Sequence, residues 1–155
     1  MSDDSSIDRA ISVLTQKIDR LDVLINNAGV YPDKQVDSLT VSRELLNTAM
    51  QTNTFGVIRM VQACLPLLGK SSDARIINVS SGMGELNSLT TTATSYSLSK
   101  LALNGATVML AQSLKPKRIA INAIDAKNSN CQVAYLVFMP LLTPLLLQEL
   151  YPNRC

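Results

Sequence analysis

The stretch "SYSLSKLALNGA" places Tyr96 and Lys100 four residues apart in a segment with a helical pattern. Four helical residues advance about 6 Å and rotate the chain by roughly 40°, so both side chains project from one side of the helix. An ammonium group beside a phenol favours the phenolate, which makes the tyrosine a usable general acid or base. Taken alone, this spacing is weak evidence for a catalytic pair, because an exposed tyrosine near a solvated lysine explains it equally well.

Two polar stretches follow predicted strands. Ser80 and Ser81 end the run "ARIINVSS", and the tetrapeptide "NNAG" at 26–29 follows the run "LDVLI". Open parallel sheets bind ligands at the carboxyl ends of their strands. A hydroxyl group there can stabilise charge that develops on a carbonyl oxygen, and the small residues Ala28 and Gly29 allow another molecule to approach. Ordinary turn chemistry is the alternative interpretation of each stretch.

Three short apolar runs, "LDVLI", "ARIINVSS" and "RIAINAI", predict buried strands, and helical patterns lie between them. Alternation of this kind predicts a parallel sheet with right-handed crossovers. An amphipathic helix is predicted ahead of the first strand, in "DDSSIDRAISVLTQKIDR", with Ser5 or Ser6 as its cap.

Two helical patterns carry most of the remaining chain. The first runs from Val41 to Leu68, where Gly56 and Pro66 predict a bend or break. The second ends at about Leu114, because Pro116 disfavours the α conformation in the residue before it. A separate apolar side of this second helix is expected to pack against other elements, and it consists of Leu98, Leu101, Ala102, Gly105, Ala106, Met109 and Leu110.

Composition excludes several classes of function. The 155 residues include 46% hydrophobic and 17% charged residues, which suits one globular domain. Histidine is absent, so a Ser-His-Asp triad and a His-ligated metal are both excluded. The three cysteines are widely spaced, which is typical of free thiols in a reducing cytosol. The net charge of +2 includes no basic run for nucleic acid, and the polar N-terminus does not read as a signal peptide.

The composition changes after Ile124. The apolar run from Val133 to Leu147 is shorter than the ~20 residues that a membrane-spanning helix needs, and two prolines interrupt it. We therefore expect a hydrophobic tail and no membrane span. The chain divides into a folded unit at 1–124 and this divergent tail at 125–155.

Four motifs occur in a fixed order across the folded unit: "NNAG", Asn53 followed by Gly56, a strand ending in Ser-Ser-x-x-Gly, and Tyr-x-x-x-Lys. Their combination is far more specific than any one of them. The chain resembles the short-chain dehydrogenase/reductase family, in particular its single-domain carbonyl and oxoacyl reductase types, over about Ser2 to Ile124.

The resemblance implies an NAD(P)-dependent oxidoreductase that reduces a carbonyl group, or oxidises an alcohol, by hydride transfer. Tyr96 matches the residue that delivers the proton, and Lys100 the residue that assists it and binds the nicotinamide ribose. Ser81 matches the serine that polarises the substrate oxygen. Asn53 matches the asparagine that supports a water relay to the lysine. No metal is implied.

The resemblance also implies the cofactor contacts. The loop at 26–29 lies along the adenosine side, so Asn26, Ala28 and Gly29 are candidate contacts together with Tyr96 and Lys100. NADPH is favoured as the nucleotide, a small carbonyl or alcohol compound as the substrate, and the cytoplasm as the location.

The sequence departs from the family at both ends. Gly29 is its first glycine, so the glycine-rich turn that holds the pyrophosphate, and the first βαβ unit around it, have no counterpart. The expected fold is therefore a partial doubly wound, Rossmann-like parallel sheet in which "LDVLI" becomes an exposed apolar edge. We expect the isolated chain to bind a nucleotide several decades more weakly than a complete relative, because charge-assisted hydrogen bonds are lost.

Three functions remain open from the sequence. The first is the oxidoreductase itself. The second is a non-catalytic fragment that associates with a full-length relative, because the helices of Asn53 and Tyr96 commonly form the subunit interface in the family. The third is a product without function that does not fold.

Overall fold

The structure is a computed structural model that describes residues 3–125. Three strands alternate with helices along this part of the chain. The elements are α1 (Asp4–Thr15), β1 (Val23–Asn26), α2 (Arg43–Met50), a π-helical segment (Gln51–Phe55), α3 (Gly56–Leu68), β2 (Arg75–Ser80), α4 (Thr94–Leu114) and β3 (Ala120–Asp125), with short 3-10 turns at Gly82–Gly84, Leu86–Ser88 and Lys115–Lys117.

The three strands form one parallel sheet in the order β1-β2-β3. Asn26 is paired with Asn78 in the register, and Ser80 with Asp125, so polar residues meet at the carboxyl ends. The parallel α/β architecture predicted from the alternation of patterns is confirmed.

One face of the sheet is covered by α3 and α4. The core between them is built from residues of all three strands and both helices, namely Leu24, Val61, Cys64, Leu68, Ala74, Ile76, Ala111, Leu114, Ile119 and Ile121. Desolvation raises the pKa of the Cys64 thiol, which lies inside this core. Burial of these side chains is the main source of stability for the three-strand unit.

The opposite face of the sheet is open at β1. Val23 is 45% exposed and Ile25 is 58% exposed, and β1 forms one edge of the sheet within residues 3–125. Apolar side chains beside unpaired backbone groups form a surface that favours association. The predicted exposed apolar edge is therefore present in the described part of the chain.

The first helix begins two or three residues earlier than its sequence suggested. Asp3 is the N-cap, and its carboxylate accepts a hydrogen bond from the Ser5 backbone N–H, so the prediction of Ser5 or Ser6 as the cap is wrong. A carboxylate is as good a capping group as a hydroxyl and also interacts favourably with the helix dipole. The helix packs against α3, where the Arg59 guanidinium is paired with Asp8.

The long helical pattern is interrupted where Gly56 suggested, but not at Pro66. The π-helical segment ends at Phe55, directly before Gly56, whereas Pro66 lies inside α3. Pro66 is exposed and near the helix end, so water can satisfy the carbonyl group that its missing N–H leaves unpaired.

The last helix ends at Leu114, as predicted, but its buried side differs from the expected one. Leu98 is 41% exposed and Met109 is 71% exposed, whereas the buried positions of α4 are mainly polar or small. Four of these buried polar side chains are hydrogen-bonded, so their burial is tolerated, namely those of Ser99, Lys100, Asn104 and Thr107. The buried Ser95 hydroxyl has no hydrogen-bond partner among the described residues. Of the apolar side that was expected to pack, Leu98, Gly105 and Met109 are exposed, whereas the other residues are half-buried and Leu110 packs against the core.

Candidate active site

A cleft of about 210 Å³ opens at the carboxyl ends of the strands, the edge where parallel sheets bind ligands. Its walls come from the loop after β1, the end of β2 with the turn that follows, the first turns of α4 and the end of β3. The residues that matter for chemistry are Asn27, Gly29, Tyr31, Ser81, Tyr96 and Lys100.

Lys100 lies at the floor of this cleft, with only 4% of its surface exposed. Its Nζ donates to the Val79 carbonyl at 2.7 Å and lies 5.8 Å from the centre of the Tyr96 ring. Desolvation lowers the pKa of the Lys100 ammonium. The charge is therefore held in a poorly hydrated position, where it acts strongly on a neighbouring phenol or ligand.

Two glycines make room for Lys100. A Cβ added at Gly84 would lie 2.7 Å from both the carbonyl carbon and the Cβ of Lys100, so the turn after β2 can pack on α4 only without a side chain. At Gly29 an added Cβ would lie 3.5 Å from the Lys100 Nζ and 3.2 Å from the Asn53 Oδ1. The loop after β1 thus reaches the ammonium with its backbone.

The two adjacent serines have different partners. The Ser80 hydroxyl donates to the Asn104 Oδ1 at 2.6 Å, and the Asn104 amide in turn donates to the Gly84 carbonyl. The Ser81 oxygen accepts the Met83 N–H at 3.2 Å. A hydroxyl that accepts one bond retains its proton for a substrate oxygen, which suits Ser81. Ser80 instead anchors the turn to α4.

Asn53 lies behind the cleft and is fully buried in the π-helical segment. Its Oδ1 accepts the Val30 N–H at 2.8 Å, and its Nδ2 donates to the Val30 carbonyl and to the Ser99 hydroxyl, each at 2.9 Å. The side chain therefore ties the loop after β1 to α4, next to Lys100.

Asn26 and its neighbours in the "NNAG" loop face different directions. The Asn26 amide is buried and donates to the Asn78 Oδ1 at 2.9 Å, and the Asn78 amide donates to the Thr107 hydroxyl at the same distance. Asn27 and Gly29 line the cleft, and Ala28 is exposed between them. Asn27 was not among the candidates from the sequence, and the strand alternation after Leu24 is the signal that would have selected it.

Asp33 is a second residue that the sequence did not single out. It is completely buried, and its carboxylate accepts the N–H of Ser95 at 2.6 Å and that of Tyr96 at 3.3 Å. The cap residue of α4 itself, Ala93, provides no side-chain bond. Asp33 therefore satisfies the amino end of the helix that carries Tyr96, from a loop about sixty positions away.

The end of β3 completes the cleft. The Asp125 carboxylate accepts the Gly82 N–H at 3.0 Å and joins the third strand to the turn after the second. Taken together, the cleft presents a phenol, a buried ammonium and a hydroxyl around one space. This set can deliver a proton to an oxygen atom while stabilising charge on it.

Residues 3–125 contain neither a metal-binding cluster nor a membrane-spanning helix. No group of three or more histidine, cysteine, aspartate or glutamate residues there is arranged to hold a metal ion. No helix in the same part of the chain combines the length and hydropathy that crossing a membrane requires.

Known proteins with related sequences are dehydrogenases and reductases. A family profile described as short chain dehydrogenase matches residues 1–133. A short-chain dehydrogenase, anuI, from Penicillium roqueforti is 33% identical over 133 residues, which are 78% of this chain and 52% of that protein. The 3-oxoacyl-[acyl-carrier-protein] reductase FabG from Thermotoga maritima is 30% identical over 80% of this chain and 49% of its own length.

Solved structures agree with the sequence comparison. The NADPH-bound carbonyl reductase from chicken fatty liver superimposes with a TM-score of 0.75 and 30% identity, over 80% of this chain and 54% of that one. The chain thus spans about half the length of the relatives that it matches. On the profile match, these identities and the shared parallel fold, the chain belongs to the short-chain dehydrogenase/reductase family.

Proposed function

We propose that this chain carries the proton-transfer half of an NAD(P)-dependent carbonyl reductase or alcohol dehydrogenase. The observation that carries the proposal is the convergence of Ser81, Tyr96 and Lys100 on one cleft, with the Lys100 ammonium buried beneath the phenol. The nucleotide, when bound, supplies or accepts the hydride at the substrate carbon.

The remaining steps belong to this chain. The Tyr96 hydroxyl gives its proton to the carbonyl oxygen, and the Lys100 ammonium stabilises the phenolate that remains. The Ser81 hydroxyl donates a hydrogen bond to the same carbonyl oxygen and stabilises its growing negative charge. The phenolate then regains a proton from the Lys100 ammonium, and water re-protonates the lysine. Asn53 supports this path by holding the Val30 backbone and Ser99 next to Lys100.

The cleft fits the nicotinamide-ribose end of a nucleotide. Gly29 brings its backbone to the Lys100 ammonium without a side chain, and Asn27 lines the same space, so a ribose has donors and room beside Tyr96. Asn26 and Ala28 belong to the loop that we propose lies along the adenosine side. The 155 residues hold no glycine before Gly29, so the phosphate contacts of a Rossmann-type turn have to come from elsewhere.

We propose NADPH as the nucleotide and a small carbonyl compound as the substrate. The likeness to a carbonyl reductase that was solved with NADPH bound, and to an oxoacyl reductase, supports both choices. The choice between NADPH and NADH is open to a direct comparison of binding.

The test uses the full 155-residue chain with NADPH, NADH and a panel of aldehydes and ketones. Turnover is followed as loss of nucleotide absorbance, and binding as a rise in unfolding temperature with nucleotide concentration. Nucleotide-dependent stabilisation that Lys100→Met abolishes would support the proposal. No turnover, together with no stabilisation at millimolar nucleotide, would contradict independent activity.

A second function is favoured by the surface of the chain. Leu98 and Met109 are exposed on α4, and Phe55 is exposed just before α3, on the helices that surround the catalytic residues. We propose that this surface forms the contact with a second copy or with a full-length relative, which would supply a complete cofactor site in its own subunit. Co-purification with such a relative, lost in Met109→Glu and retained in Leu39→Glu, would support it, and a stable monomer in the presence of the relative would contradict it.

A further inference from the structure

A second tyrosine lies directly against the proposed proton donor. The rings of Tyr31 and Tyr96 are stacked, with their centroids 4.2 Å apart and their planes 19° from parallel. Tyr31 comes from the loop after β1, whereas Tyr96 comes from the first turns of α4. Stacked aromatic rings attract each other, so the contact restricts the rotation of two otherwise rotatable rings.

An ammonium group accompanies each ring. The Lys34 Nζ lies 5.8 Å from the centre of the Tyr31 ring, and the Lys100 Nζ lies 5.8 Å from the centre of the Tyr96 ring. Both distances are within the range of cation–π attraction. The catalytic pair of Tyr96 and Lys100 is therefore part of a larger set of two rings and two cations.

Tyr31 is held in place from three directions. Asn53 binds both backbone groups of the preceding residue, Val30, and Asp33 binds the first turn of α4 from two residues further on. The Tyr31 hydroxyl donates to the Met83 Sδ at 3.7 Å, in the turn after β2. The ring is thus fixed by its backbone on either side and by its hydroxyl at the tip.

The two phenols differ in their surroundings. Burial raises the pKa of Tyr31 above its ordinary value, and the nearby Asp33 and Tyr96 raise it further. Tyr31 is therefore a neutral ring at the pH values where a reductase works, which suits a wall of the site and not a second acid.

We infer that Tyr31 is a positioning residue for Tyr96, whose ring it holds by stacking so that the phenol oxygen stays directed at the cleft beside Ser81. This inference rests on the proposed function, in which Tyr96 is the proton donor. With one face of Tyr96 covered by Tyr31, a substrate carbonyl cannot approach the phenol across that face.

The contact is tested first in the unchanged chain. The 155-residue protein is labelled at the tyrosine rings with ¹³C, and the Tyr96 signals are identified by their loss in Tyr96→Phe. We expect nuclear Overhauser effects between the two rings, and an upfield shift of the Tyr96 ring-proton signals caused by the ring current of Tyr31. Absence of both in a chain with dispersed backbone signals would overturn the inference without any variant at position 31.

Two variants then separate the ring from its hydroxyl. Tyr31→Phe keeps the stacked ring and loses the contact with Met83, so we expect the Tyr96 ring signals to remain displaced. Tyr31→Leu removes the ring, and we expect the displacement to disappear while the backbone signals of β2 stay unchanged. Identical Tyr96 signals in wild type and Tyr31→Leu would overturn the inference.

Kinetics distinguish this inference from the proposed function. If the chain turns over a carbonyl substrate, Tyr31→Leu is expected to lower kcat at least tenfold with little change in KM, and Tyr31→Phe to restore it. Unchanged kcat in Tyr31→Leu would overturn the positioning role. A chain with neither turnover nor nucleotide-dependent stabilisation, in which the upfield shift of the Tyr96 signals is still lost in Tyr31→Leu, would contradict the proposed function. The same result would leave the contact between the two rings established.

Discussion

The side chain of Asn53 holds the backbone of Val30 from both sides, accepting its N–H at 2.8 Å and donating to its carbonyl at 2.9 Å. This pair of bonds imitates the pairing of two β-strand residues, but it joins a loop to a helix. The remaining Nδ2 hydrogen reaches Ser99, one position before Lys100. The position of the loop that lines the cleft is thus coupled to the helix that carries the ammonium.

Replacement of Asn53 should therefore lower the stability of the fold around the cleft. Asn53→Ala removes three hydrogen bonds, of which the one to Ser99 is buried, and leaves both backbone groups of Val30 without their side-chain partner. We expect a loss of about 2–4 kcal/mol in the free energy of unfolding, measured by urea denaturation. Asn47→Ala, at an exposed position of α2, is the matched control and should change stability by less than about 0.5 kcal/mol. Equal stability of the two variants would show that the Asn53 hydrogen bonds do not contribute to the free energy of unfolding.

The two glycines associated with α4 should respond in opposite directions to alanine. In Gly84→Ala the new Cβ would lie 2.7 Å from Lys100 backbone and Cβ atoms, so we expect a loss of about 1–3 kcal/mol. In Gly105→Ala the new Cβ meets nothing within 4 Å in the middle of a helix, so we expect a gain of about 0.5–1 kcal/mol. Thermal unfolding of both variants checks the prediction, and a gain in Gly84→Ala would mean that the turn after β2 does not pack as described.

Burial of Lys100 should leave a signature in the pH dependence of stability. The pKa of Lys100 is lower in the folded state than its ordinary value of 10.5 in the unfolded state. At pH values between the folded-state pKa and the unfolded-state pKa, the unfolded chain therefore binds more protons than the folded one. Stability contributed by this group therefore rises with pH across that interval, with a slope of at most about 1.4 kcal/mol per pH unit for one proton.

Urea unfolding from neutral to alkaline pH, compared between wild type and Lys100→Met, measures this contribution. The difference in unfolding free energy should move in favour of the wild type as the pH approaches 10.5. Lys117→Met, at an exposed position, is the control and should follow the wild type at every pH. A difference between wild type and Lys100→Met that falls with rising pH would contradict desolvation as the dominant effect.

Loss of the phenol should abolish activity and leave the fold intact. Where the chain, alone or with a relative, turns over a carbonyl substrate, Tyr96→Phe is expected to lower kcat by roughly 10²–10⁴-fold, because general acid catalysis is removed. The stacked ring is retained, so the unfolding temperature should change little. Full activity in Tyr96→Phe would require another proton donor and would exclude the mechanism proposed above.

The open face of β1 should make the chain self-associate. Ile25 is 58% exposed beside an unpaired strand edge, and a charged residue there should raise solubility and lower the apparent mass at high concentration. Ile25→Lys can be compared with Leu39→Lys, whose position is 94% exposed in a loop away from the sheet. Sedimentation that changes equally in both variants would indicate a general effect of charge and not the edge of the sheet.

Much of the fold follows from local sequence. The alternation of apolar runs and helical patterns was enough for a parallel sheet, and Pro116 placed the end of α4 correctly at Leu114. The buried side of α4 could not be read in the same way. Several of its polar residues are buried because partners on other elements satisfy them, as Thr107 is satisfied by Asn78 and Asn104 by Ser80. Those partners are distant in sequence, so hydropathy alone selects the wrong side.

The candidate site likewise combines residues that the sequence predicts with residues that depend on contacts between distant segments. Motif order selected Ser81, Tyr96 and Lys100, which line one cleft. Asp33 and Tyr31 lie in a segment that reads only as a loop, and their contacts form across about sixty residues of chain. The π-helical turn around Asn53 was likewise not predictable, because it depends on the hydrogen bonds that Asn53 makes to Val30 and Ser99.

The amide pair between Asn26 and Asn78 has a consequence for how the sheet assembles. If β1 slipped by one residue along β2, the two amides would no longer meet, and the buried Asn78 Oδ1 would lose the hydrogen bond that it accepts from Asn26. A slip of this kind is therefore disfavoured even though β1 is only four residues long. Because β1 has one favoured alignment, the peptide that leaves it reaches the lysine at the same residue, Gly29, every time the chain folds.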